Sequence, residues 1–78
     1  MKDYTYTMKI KTEDGKIEYR NETDTAKGYR KSWYKTEEKA RERLDRDIRN
    51  AEFYNYVVLE WTLYNRNNGI GIIEEYKA

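Results

Sequence analysis

Residues 4–20, Tyr4-Thr5-Tyr6-Thr7-Met8-Lys9-Ile10-Lys11-Thr12-Glu13-Asp14-Gly15-Lys16-Ile17-Glu18-Tyr19-Arg20, hold the plainest structural signal in the chain. Tyr4, Tyr6, Met8 and Ile10 alternate with Thr5, Thr7, Lys9 and Lys11. That period of two belongs to a strand with one face buried. Asp14-Gly15 is a tight-turn pair, since both residues accept the positive φ that short hairpin loops demand. Folding at this pair sets Ile10 opposite Tyr19, Thr12 opposite Ile17 and Lys11 opposite Glu18. The apolar set then shares one face and the charges share the other, so a hairpin is predicted in this register.

A second hairpin is predicted at the other end. Val57, Leu59, Trp61 and Leu63 alternate with Tyr56, Val58, Glu60, Thr62 and Tyr64, which directs the odd-numbered set toward the core. Arg66-Asn67-Asn68-Gly69 is a turn, and a last strand runs from Ile70 to about Tyr76. Pairing Leu63 with Ile72 buries Ile70 and Ile72 but sets Glu74 beside Trp61 on the core face. The sequence leaves that register open.

Between the hairpins, Thr36 suits an N-cap, with Glu37 and Glu38 placed where negative charge favours a first helical turn. Ala40, Leu44, Ile48 and Ala51 recur at helical spacing, giving one narrow apolar stripe and a helix that ends near residues 50–52. Arg41, Glu42, Arg43, Asp45, Arg46, Asp47 and Arg49 mix both signs and are predicted to form a solvated face. The order ββαββ with a right-handed crossover gives an α+β fold. It is a four-stranded antiparallel sheet, order 2-1-3-4, with the helix on one face, and residues 1–78 form one domain.

Composition narrows the function. The chain has 78 residues, nine Tyr, two Trp and a formal net charge of +1. Tyrosine and tryptophan supply the apolar surface that the few aliphatics do not, so a thin aromatic core is predicted, and domains this small gain from self-association. A homodimer is therefore one expected state. With no Cys and no His, the usual zinc and iron–sulfur ligands, the thiol nucleophile and the commonest general base are missing. No metal, cofactor or catalytic role is expected. No apolar run suits a signal peptide or membrane span, and the absence of disulfides makes a cytoplasmic location the default. The triplet Asn21-Glu22-Thr23 is a chance match to a glycosylation acceptor.

Two surfaces are candidates for recognition. The first is the segment Lys27 to Lys35, where Lys27, Arg30, Lys31 and Lys35 are interleaved with Tyr29, Trp33 and Tyr34. Cations with aromatics suit a partner's pocket, or a nucleic-acid strand helped by Lys9 and Lys11. Against this, Trp33 and Tyr34 immediately precede the helix cap, where packing is the commoner role, and near-zero net charge dilutes any groove for nucleic acid. The second is the sheet face away from the helix, predicted to carry Tyr56, Val58, Thr62, Tyr64 and Ile73, a Tyr-rich patch suited to protein contact. Trp33, Tyr29, Tyr56 and Tyr64 are the expected anchors. Gly69-Ile70-Gly71 is turn chemistry, without the third glycine or strand-to-helix setting of a dinucleotide site.

In size, in its Tyr-, Asn- and Lys-rich usage, in lacking cysteine and in its hairpin-helix-hairpin plan, the chain resembles the small accessory proteins of viruses of bacteria and archaea. That group includes anti-CRISPR inhibitors. The resemblance implies a binding protein that occludes the surface of a host protein or complex, such as a CRISPR nuclease; it transfers no functional residue.

Overall fold

The computed structural model describes residues 2–21, 32–66 and 71–78. Strand β1 spans Tyr4–Lys11, β2 Ile17–Arg20, helix α1 Glu37–Phe53, β3 Val57–Asn65 and β4 Gly71–Lys77. All pairings are antiparallel and the strand order is β2-β1-β3-β4, the α+β architecture the alternation predicts. The helix starts where expected, with the Thr36 hydroxyl accepting from the Lys39 amide at 3.1 Å.

Its apolar stripe lies on the sheet. Ala40, Leu44 and Ala51 are buried against Tyr6, Met8 and Ile10 of β1 and Leu63 of β3, with Ile48, Tyr34 and Trp61 among the half-buried groups around them. Arg41 fastens the opposite margin, bonding Glu37 one turn back at 2.9 Å and Glu74 of β4 at 2.6 Å. These hydrogen bonds raise its pKa further and keep the guanidinium charged.

The first hairpin departs from the predicted register by one residue. Lys9 pairs with Tyr19, Ile10 with Glu18 and Lys11 with Ile17. The loop explains the slip. The Thr12 amide donates to the Lys16 carbonyl at 2.8 Å, so Glu13, Asp14 and Gly15 form a three-residue turn with Gly15 at φ 88°. Three loop residues in place of two invert the faces of β2, because side chains alternate at every step. Ile17 and Tyr19 consequently stand on the face away from the helix, both about half exposed.

Two bulges make similar corrections further on. In β3 the pairing jumps from Lys9↔Glu60 to Ile10↔Val58, leaving Leu59 as the extra residue. Before the bulge the phase reverses: Val58 and Tyr56 pack against the core, whereas Val57 is exposed. In β4 the jump from Leu63↔Glu74 to Tyr64↔Ile72 makes Ile73 the extra residue, and Ile73 packs against the core. This settles the second register. Glu74 does lie on the helix side, at the sheet margin, where Arg41 neutralises it, and Trp61 stacks on Tyr76 at 6.1 Å. Ile72 is left 59% exposed on the outer face.

The connection after β2 is clamped at its two described ends. Asn21 adopts φ 56°, and its side chain donates to the Tyr6 carbonyl (2.7 Å), the Thr5 hydroxyl (3.0 Å) and the Ser32 carbonyl (3.2 Å). It also accepts from the Ser32 amide at 2.7 Å. Tyr34 then joins the edge of β1 through two backbone bonds to Tyr4, at 3.0 and 2.7 Å.

Candidate functional site

The end of α1 builds the most unusual surface among the described residues. Asn55 takes φ 61°, a left-handed conformation that asparagine tolerates and that ends many helices. Its amide donates to the Glu52 carbonyl at 3.1 Å and the Tyr56 amide to the Ala51 carbonyl at 2.8 Å, so the last carbonyls are satisfied by the reversing chain. The reversal turns Tyr56 inward, where it packs against the core. Phe53 and Tyr54 are left outside.

Phe53 is 79% exposed and Tyr54 57%. The rings form a ladder: those of Phe53 and Tyr54 meet edge to face at 5.1 Å, and Tyr54 stacks on Tyr56 at 5.8 Å. Beside this ladder lies a cleft of about 210 Å³. Buried Ile10 and Ala51 contribute to it with Tyr54 and Tyr56, and the polar lining is Arg20, Asp47 and Asn50. Tyr56 also borders a wider depression of about 550 Å³ over the first hairpin, lined by Thr12, Glu13, Asp14, Lys16 and Glu18.

The charges around the cleft are largely committed. Arg20 bonds Glu18 at 3.2 Å and the Tyr19 carbonyl at 3.4 Å, and Lys16 lies 3.8 Å from Asp14. Asp47, predicted to belong to the solvated face, instead turns toward the sheet and is only 16% exposed. It accepts from the Tyr6 hydroxyl at 2.5 Å. Burial, reinforced by this carboxylate, pushes the Tyr6 hydroxyl far above the usual phenol range and keeps it protonated.

Among the described residues, those singled out from sequence are not brought together in one site. Lys27, Tyr29, Arg30 and Lys31 lie outside the described residues. Trp33 is half-buried with the Arg66 guanidinium 3.7 Å above its ring, and Arg66 is itself anchored on the Lys2 carbonyl at 2.8 Å. Tyr34 stacks on Tyr6 at 6.4 Å and packs against the core. Both rings thus have packing roles. Lys35 is exposed beside the helix cap.

The outer-face patch is corrected in its membership. Tyr56, Val58 and Ile73 move to the core side through the bulges, and only Thr62 and Tyr64 remain outside. Tyr64 is half-buried opposite exposed Ile72 at one end of that face. Ile17 and Val57 flank Lys11 at the other end. Between them run the rows Tyr19–Lys9–Glu60–Lys77 and Thr7–Thr62–Glu75. Alternating charge across neighbouring strands suits a solvated face, so no continuous apolar patch forms there among the described residues.

Sequence reasoning missed Phe53 and Tyr54. The available signal was Phe53's position two residues beyond Ala51, which on a helix points it away from the buried stripe. Among the described residues no helix is long and apolar enough to cross a membrane, and no group of three acids converges as a metal site would require. Compared with known proteins, the chain matches no family model, no curated protein and no solved structure.

Proposed function

We propose that this chain is a non-enzymatic protein-binding module that captures its partner through the aromatic end of α1. The observation that carries the reading is the adjoining exposure of Phe53 and Tyr54, at 79% and 57%, with their rings in contact. Aromatic side chains have only two χ angles and lose little entropy on binding, and such residues dominate binding energy at interfaces. Covering a side chain of this size is worth about 1.5–3 kcal/mol. Two such anchors contribute a few kcal/mol of the gross gain, from which the cost of association is subtracted to reach the net of about 8 kcal/mol of a micromolar complex.

Binding of this kind acts by occlusion. In the form that the resemblance to virus-encoded inhibitors implies, the covered surface belongs to a host factor such as a nuclease complex. The competing reading, a strand of nucleic acid laid along residues 27–35, has less support, because the described aromatics of that segment, Trp33 and Tyr34, are engaged by Arg66 and Tyr6.

Affinity capture with the wild-type chain and with the Phe53→Ala/Tyr54→Ala double variant, followed by mass spectrometry, tests the proposal. A protein partner held by the wild type and lost with the double variant, under matched thermal stability, supports it. Recovery of the same proteins by both refutes it. Recovery of nucleic acid alone, with affinity falling steeply as salt rises, replaces it by the strand-binding reading.

A further inference from the structure

We infer that the cleft beside Tyr54 and Tyr56 receives a cationic side chain, arginine or lysine, presented by the protein partner. The inference rests on the reading that this end of α1 meets a partner, and it names what the partner inserts.

Four features of the cleft converge on positive charge. Tyr54 and Tyr56 line the cleft with aromatic rings, a kind of surface that attracts ammonium and guanidinium groups. The cleft adjoins the negative end of the helix dipole, and the last turn of α1 contains no basic residue to offset it. Asp47 lines the cleft with a carboxylate engaged by the Tyr6 hydroxyl and lying 3.9 Å from Arg46. A carboxylate has about four acceptor sites, so capacity for a further donor remains. The neighbouring depression adds Glu13, Asp14 and Glu18 against a single Lys16.

Arg20 also lines the cleft, and its charge is offset by Glu18, to which one guanidinium nitrogen donates as it does to the Tyr19 carbonyl. Three bases stand near the cleft, and each sits against an acid, Arg20 against Glu18, Lys16 against Asp14 and Arg46 against Asp47, leaving Glu13 in excess. An anion would meet that excess. An apolar group would bury Asp47 and Asn50 without replacing their contacts with water.

The test is a titration of the full ¹⁵N-labelled chain, at low salt, with three blocked tripeptides: acetyl-Gly-Arg-Gly-amide, its lysine analogue, and its citrulline analogue. Citrulline keeps the shape of arginine and removes the charge. Saturable shifts centred on Asn50, Ala51, Tyr54 and Tyr56 are expected with the arginine and lysine peptides, with affinity at least tenfold weaker for citrulline. Tyr54→Leu and Asp47→Asn should each weaken the arginine peptide about fivefold or more, with the rest of the spectrum keeping its dispersion. Equal binding of citrulline, shifts centred elsewhere, or no saturation with any cationic peptide overturns the inference. The proposed function fails separately: loss of capture by the Phe53/Tyr54 double variant together with no cation binding keeps the partner and removes the cation. Cation binding with unchanged capture supports the cleft and removes the proposed contact surface.

Discussion

Asn21→Asp changes one side-chain group and leaves the backbone requirement alone, because both residue types tolerate the left-handed conformation found here at φ 56°. The acceptor that takes the Ser32 amide at 2.7 Å survives. The amide group that donates to Tyr6, Thr5 and Ser32 does not, and a carboxylate oxygen replaces it opposite two backbone carbonyls. Two net hydrogen bonds at about 1 kcal/mol each, plus about 1 kcal/mol for a charge facing acceptors, give a loss of about 3 kcal/mol. A domain of this size has about 4–12 kcal/mol in total and loses about 4–8 °C in Tm per kcal/mol. A drop of roughly 10–25 °C at neutral pH is therefore expected from circular-dichroism melts, with urea titration giving the free energy. The pH dependence has a definite sign. The clamp disfavours the charged form, so the introduced carboxyl has a folded pKa above its unfolded value of about 3.9, and the protonated acid recovers one donor. The deficit relative to wild type is smallest below that value and grows as pH rises through the raised folded pKa. A deficit under about 1 kcal/mol at pH 7, or one independent of pH, would refute the clamp.

At the helix end, Asn55→Gly should hold or slightly raise Tm while Asn55→Ala lowers stability by about 1 kcal/mol, since only the alanine objects to φ 61°; equal melts for all three chains would remove the cap from the account of how Phe53 and Tyr54 are positioned. Tyr6→Phe should cost about 1–2 kcal/mol at neutral pH by leaving the Asp47 carboxylate without its donor. In wild type the Tyr6 pKa is raised from 10.0 by burial and Asp47, so its contribution is intact below about pH 10 and declines above it by up to about 1.4 kcal/mol per pH unit. The phenylalanine variant lacks that decline, and parallel alkaline limbs in urea titrations of the two chains would contradict the burial of this hydroxyl.

Much of the architecture was legible because it depends on periodicity. Strand alternation, the Thr36 cap and the Ala40–Leu44–Ile48–Ala51 stripe each carry a local physical signature, and together they leave few topologies. Register was less accessible. Asp14-Gly15 serves a two-residue loop and a three-residue loop equally well, and the choice inverts β2. The bulges at Leu59 and Ile73 have no local signature, because the extra residue is decided by how the strands meet across the sheet. They explain why Tyr56 was expected outside and lies inside, and why Glu74 could not be placed without knowing that Arg41 reaches it. Of the candidate site, the sequence points to Tyr56 but to the wrong face, and Phe53 falls just beyond the expected helix end with no role assigned to it. Asn21 carries no local sign of its clamp, since its partners Thr5, Tyr6 and Ser32 are distant in sequence.

The sheet's two outermost strands differ in a way that bears on how the molecule survives at high concentration. β2 offers only four residues to an intruding chain, and β4, though seven long, carries Glu74, Glu75 and Lys77 along its rim. A neighbour adding itself in register would set identical carboxylates near one another and strip them of water, which discourages ribbon growth and fibril seeding. A molecule with half-exposed isoleucine and tyrosine on its flat side is thereby protected where backbone templating would otherwise begin. Its side chains, and not its open peptide groups, are left as the means of choosing company.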